Sequence, residues 1–146
     1  MAESFTRDLT GAALAYIGDA ALEVLVRRYL VGLGVNGSGK LNGMALGFVK
    51  ATAQSAAVEK LLPLLDEEEE YMYKRGRNAS GISAPKSASA GEYRRATGME
   101  ALFGYLELAG KRERMEELFF AAYADIIAEL DAAHPNHVRF TEVKNK

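Results

Sequence analysis

Two carboxylates stand inside stretches that are otherwise apolar. In "LAYIGDAALEVLV", Leu14 to Val26, Asp19 interrupts an oily run and Glu23 follows one helical turn later. In "ATGMEALFGYLEL", Ala96 to Leu108, Glu100 lies among Met99, Ala101, Leu102 and Phe103. A carboxylate taken out of water without a partner is costly or takes up a proton, and acids one helical turn apart repel. Small residues flank both positions: Gly18 and Ala20 beside Asp19, Gly98 and Ala101 beside Glu100. Such residues let two helices approach closely. Two acids brought face to face raise one another's pKa unless a cation lies between them. Magnesium takes one or two carboxylates, with waters and substrate phosphate completing its shell. The pattern points to a Mg²⁺ site for phosphodiester chemistry, with Asp19 and Glu100 as catalytic metal ligands. The alternative is a surface acid or one paired with Arg27, Arg28, Arg94 or Arg95. Spacing alone does not bring Asp19 to Glu100.

A second set of residues could hold a polyanion. Between Lys74 and Arg95 the bases are Lys74, Arg75, Arg77, Lys86, Arg94 and Arg95, against a single acid, Glu92. Phosphate contacts need such a cluster. Asn78 and the Gly and Ser residues of "GRNASGISAPKSASAGE" add donors for phosphate and 2′-OH groups. The alternative is a solvated loop. The acid run Asp66 to Glu70 reads as a solvated helix face. His134 and His137 have a metal-like spacing, but Pro135 between them argues against a site. "GLGVNGSGK" lacks the spacing of a phosphate-binding P-loop.

The elements that must position these residues are helical. The chain has 146 residues, of which 49% are apolar and 26% charged, enough for one globular domain with its own core. It has no cysteine, which excludes disulfides and cysteine-held zinc and fits a reducing cytoplasm. The formal net charge of −2 makes any nucleic-acid contact a matter of local charge. The N-terminus lacks a basic leader region, and charges interrupt every apolar run, so neither a signal peptide nor a membrane span is expected. The periodicity predicts helices over about Leu9 to Val31, Leu41 to Leu62 after a cap at Asn36 or Ser38, Leu64 to Arg77, Gly91 to Leu108, and Arg112 to Ala132. Pro63 breaks the chain, and Gly110 is expected to cap the helix before it. The expectation is an all-α helical bundle, one catalytic domain over residues 1–146, with a loose tail from about residue 133. The apolarity of Ala12 to Val26 exceeds what one small domain buries, which suggests a subunit interface.

"LAYIGDAALEVLVRRYL" resembles the signature segment of the ribonuclease III family, and "RRATGMEALFGYLEL" resembles its second metal segment. Chain length, the spacing between the two and the linking "YMYKRGRNASGISAPKSAS" are similar to the short group of that family, which lacks a double-stranded RNA-binding domain. The resemblance runs from about Thr10 to Leu130. It implies an all-α endonuclease fold, a homodimer, Mg²⁺, and cytoplasmic cleavage of double-stranded RNA to 5′-phosphate and 3′-hydroxyl ends. For the short group it implies maturation of the 23S ribosomal RNA precursor. Asp19 and Glu100 match the metal-binding acids. Full-length members carry further acids one turn before the Asp and three residues before the Glu; those places are Ala15 and Thr97 here. Both departures are shared with the short group and reduce the negative charge at the metal. Glu23 matches a signature position that is not a usual ligand. Glu23 and Thr97 are read as supporting the metal pair from behind or facing a partner subunit.

Two rival readings stay open at this point. An all-α Mg²⁺-dependent nucleotide pyrophosphohydrolase would need paired E-x-x-E acids on inner helices, and Glu67 and Glu70 have that spacing without an apolar face. A non-catalytic ribonuclease III-like domain that binds RNA or the ribosome would be favoured by loss of Asp19 or Glu100, and both are present.

Overall fold

A computed structural model describes residues 2–79 and 89–141, with side chains from Phe5 onward. The described residues form eight α-helices and no strand. The order is α1 (Ala2–Asp8), α2 (Gly11–Gly32), α3 (Ser38–Val49), α4 (Ala51–Leu61), a 3-10 turn (Leu62–Leu64), α5 (Glu67–Arg77), α6 (Ala90–Leu108), α7 (Arg112–Ala122) and α8 (Ala124–Ala133).

Local signals set the helix ends. Thr10 caps α2, its side chain accepting from the Ala13 N–H at 3.0 Å. Asp66 with Glu69 and Ser89 with Glu92 form capping boxes at the starts of α5 and α6. α6 ends as the glycine predicts. Gly110 adopts φ 72°, where a side chain would be strained, and Lys111 N–H reaches back to the Leu106 carbonyl at 2.9 Å.

α6 is the central helix, buried from Ala101 to Leu106 and packed against α2, α5 and α4. Its low amphipathicity follows from that position, since a helix covered on several sides has no polar face to show.

Two helices expected to be continuous are broken. The segment Leu41 to Leu62 divides at Lys50, which is extended (φ −66°, ψ 151°). The turn lets fully buried Phe48 enter the core while α4 presents Ala57, Val58 and Leu61. The expected cap at Asn36 or Ser38 is not formed: Gly37 is the capping residue, without a side-chain bond, and Ser38 is the first helical residue. The segment Arg112 to Ala132 divides at Tyr123, whose ring lies 5.0 Å from Phe48 and 5.4 Å from Phe119. Its hydroxyl donates to the Phe48 carbonyl at 2.7 Å, so the two breaks hold each other.

The tail expected to be loose is docked as far as the description runs, to Thr141. Val138 N–H donates to the Gly32 carbonyl at 2.8 Å. Arg139 pairs with Asp131 at 2.8 Å and covers the Phe120 ring at 4.7 Å. Among the described residues no helix is long and apolar enough to cross a membrane.

Candidate active site

The site begins with two glycines. A Cβ on Gly18 would overlap the Glu100 carbonyl oxygen and sit 2.7 Å from Gly104 N. A Cβ on Gly104 would overlap the Leu14 carbonyl oxygen and lie 2.8 Å from its carbon. The backbones of α2 and α6 therefore touch, and Asp19, next to Gly18, comes beside Glu100. The two carboxyl groups share a hydrogen bond.

Burial pushes the Glu100 carboxyl up to about 8, with the charge of Asp19 and the shared hydrogen bond adding to the rise. The neighbouring Gln54 side chain of α4 opposes it. Among the described residues no cation is one of the groups acting on Glu100. The negative charge of Glu100 also adds to the effect of burial in pushing the Tyr123 hydroxyl up.

Two of the arginines that could have neutralised the acids are engaged elsewhere. Arg27 pairs with Glu23 at 3.0 Å, and Arg95 donates through Nε to Ser55 Oγ at 2.6 Å. Glu23 thus sits in a surface ion pair. Thr97 is buried, and its hydroxyl donates to the Tyr93 carbonyl at 2.9 Å. Neither is among the groups acting on Glu100.

The donor set fits Mg²⁺. Among the described residues no group of three or more His, Cys, Asp and Glu could cage a metal. Two carboxylates that repel each other, one of them exposed, suit a hard cation that keeps waters and takes substrate phosphate.

The basic residues divide by what they already touch. Arg75 donates to the Arg7 carbonyl and lies 5.9 Å from the Tyr71 ring centre, so it ties α5 to α1. Lys74 pairs with Glu70 at 2.9 Å, and Arg77 reaches the Asn78 side chain at 3.1 Å. Burial raises the Tyr73 hydroxyl, while Arg77 and Arg95 pull it back, so both guanidinium groups lie near that ring. Arg94 is exposed. Lys86 lies outside the described residues.

Sequence reasoning missed two partners. Gln54 is 3% exposed, and its one signal is an amide within the alanine-rich "ATAQSAAVEKL". Glu69 is not a solvated acid: it is buried and held by Arg114 at 2.8 Å. The E-x-x-E spacing of Glu67 and Glu70 lies on this capping turn, away from the Asp19–Glu100 pair, with both acids exposed.

Residues 12–111 match the Ribonuclease III domain family. The chain is 48% identical to the Mini-ribonuclease 3 of Enterococcus faecalis, over 77% of this chain and 86% of the relative. It is 50% identical to that of Symbiobacterium thermophilum, over 78% and 87%. With that of Brevibacillus brevis it shares 42% identity over 87% and 97%. A crystal structure of a protein from Fusobacterium nucleatum superposes with a TM-score of 0.71 at 33% identity, covering 83% of this chain and 94% of that one.

Proposed function

The chain belongs to the ribonuclease III family and is an endoribonuclease, and we propose that Asp19 and Glu100 form the Mg²⁺ site at which it hydrolyses double-stranded RNA. The observation that carries the reading is the pair itself: two carboxylates pressed together at a glycine-lined helix crossing, with no cation among the described residues acting on Glu100. Asp19 and Glu100 would hold the ion through their carboxylates. A bound Mg²⁺ supplies Lewis-acid polarisation of the phosphate and lowers the pKa of water. Arg94 and Lys74 are exposed and Arg77 and Arg95 half-buried, and these bases of α5 and α6 are the groups assigned to the RNA backbone. Recognition through backbone shape suits A-form RNA. Products carry 5′-phosphate and 3′-hydroxyl ends.

The working unit is a homodimer of one-domain chains. One Asp19–Glu100 pair is one catalytic centre, so cutting two antiparallel strands calls for two centres about a twofold axis. What supports it is the outer face of α2. Tyr16 is 85% and Val24 52% exposed. A hollow at Val24 is lined by Ile17, Ala20, Leu25 and Met115, with Arg28, Glu107 and Arg112 as its charged members. The cellular substrate is the 23S ribosomal RNA precursor in the cytoplasm. Incubation with long double-stranded RNA, with Mg²⁺ and then with EDTA, tests the function. Cleavage of both strands only with the metal is expected, and cleavage that survives EDTA would sink the metal assignment.

A further inference from the structure

We propose that Gln54 and Ser55, adjacent on α4, are positioning residues that latch α6 at two points, Gln54 aligning Glu100 for the metal and Ser55 aligning Arg95 for the RNA backbone. The inference rests on the reading of Asp19 and Glu100 as the metal pair. Gln54 and Ser55 are 3% and 5% exposed on a helix whose other buried residues are Ala57, Val58 and Leu61. Buried polar side chains in such a face need partners, and no buried side-chain N or O among the described residues lacks one. Both partners are on α6. The Gln54 side chain, buried on the α4 face that packs on α6, lies close enough to the Glu100 carboxyl to oppose its rise, and Ser55 Oγ accepts from Arg95 Nε at 2.6 Å. Two consecutive residues of one helix thus hold the two functional groups of another.

The chemistry of each contact fits its task. A primary amide is neutral, so it can orient a carboxylate beside Asp19 without replacing the external cation as its counter-charge. It also restricts the Glu100 rotamers, so the carboxylate meets an incoming ion already aimed. Groups that hold a metal ligand from behind commonly change affinity about 10- to 100-fold when removed. The Arg95 bond uses Nε alone, and a guanidinium has further N–H donors to offer a phosphate. Fixing the side chain reduces the freedom lost when RNA binds.

Mn²⁺ titrated into the free protein and followed by its electron paramagnetic resonance gives metal affinity without RNA or turnover. Gln54→Met, Gln54→Asn and Ser55→Ala are compared with wild type, with thermal unfolding reporting the fold of each. Both Gln54 variants are expected to raise the Mn²⁺ dissociation constant about tenfold. Their duplex RNA binding in EDTA should be unchanged. Ser55→Ala is expected to leave Mn²⁺ affinity alone and weaken RNA binding in EDTA by about threefold to tenfold. Wild-type Mn²⁺ affinity in a folded Gln54 variant overturns the Gln54 half, as does failure of both variants to fold, which would make it a core residue only. Unchanged RNA affinity in Ser55→Ala overturns the other half. The underlying reading fails separately, by wild-type Mn²⁺ affinity in Asp19→Asn and Glu100→Gln.

Discussion

Glu69 and Glu100 are the same residue type on two packed helices, α5 and α6, and their surroundings drive them in opposite directions. Burial raises Glu69, but it accepts from Arg114 Nε and Nη2 at 2.8 Å each and from the Asp66 backbone N–H at 2.9 Å. Those bonds hold its carboxyl below the ordinary value. Glu100 has a second carboxylate where Glu69 has a guanidinium, and it rises to about 8. Burial therefore does not tell a structural acid from a functional one; the identity of the neighbour does. Glu69 finds its counter-charge within the chain, whereas among the described residues no basic group acts on Glu100.

Replacing the acids should split activity from stability. Asp19→Asn or Glu100→Gln is expected to lower double-stranded RNA cleavage by about a thousandfold or more. Above about pH 8, where both acids are ionised, metal-free melting temperatures should not fall, because the change relieves repulsion. Turnover near wild type in both variants would erase the distinction between the two glutamates.

The pH dependence should have opposite signs at the two sites. Between 4.5 and about 8 the folded state keeps the Glu100 proton that the unfolded chain has lost. Metal-free stability therefore falls as pH rises through that window, by up to a few kcal/mol. The Glu69 contribution is present above 4.5 and is lost as pH falls through its lowered folded value. Denaturant melts from about pH 2.5 to 9 would register both, and Glu100→Gln should flatten only the upper limb. An upper limb that stays steep in that variant would assign the loss to another group.

Glu69→Ala should destabilise the fold by about 2 kcal/mol, less than a fully buried pair because Arg114 keeps partial contact with water. Cleavage per folded molecule should stay at the wild-type level. A catalytic defect without a stability defect would reverse the roles given to the two acids.

The smallest effects belong to the basic rim. Arg94→Ala should weaken duplex binding and reduce the slope of log affinity against log salt by about one or less, the loss of one phosphate contact. Arg75→Ala, whose guanidinium already joins α5 to α1, should cost stability and leave the salt slope intact. Equal slopes for the two variants would mean that exposure does not distinguish RNA-binding arginines here.

The acid pair was legible as two residues and not as a pair. Both Asp19 and Glu100 stand out against apolar helical runs, and family resemblance assigns them a metal. Their meeting depends on Gly18 and Gly104, which admit the facing backbone of another helix. The acid run at Asp66 to Glu70 shows the converse. Composition alone reads it as a solvated face, because the partner of Glu69 lies 45 residues away at Arg114. The breaks at Lys50 and Tyr123 were hidden for the same reason, since neither carries proline or glycine. They are set by Phe48 and Tyr123 meeting across 75 residues.

By itself the sequence determined what local chemistry determines: the helical period, the glycine stop at Gly110, and the residue types able to hold Mg²⁺ and phosphate. Those depend on neighbours within a few positions of the chain. Only the tertiary structure decided that Arg114 meets Glu69, that Gln54 and Asp19 meet Glu100, and that Arg95 meets Ser55. The free energy of a charge is set by whatever lies within a few ångströms of it, and that is independent of separation along the chain.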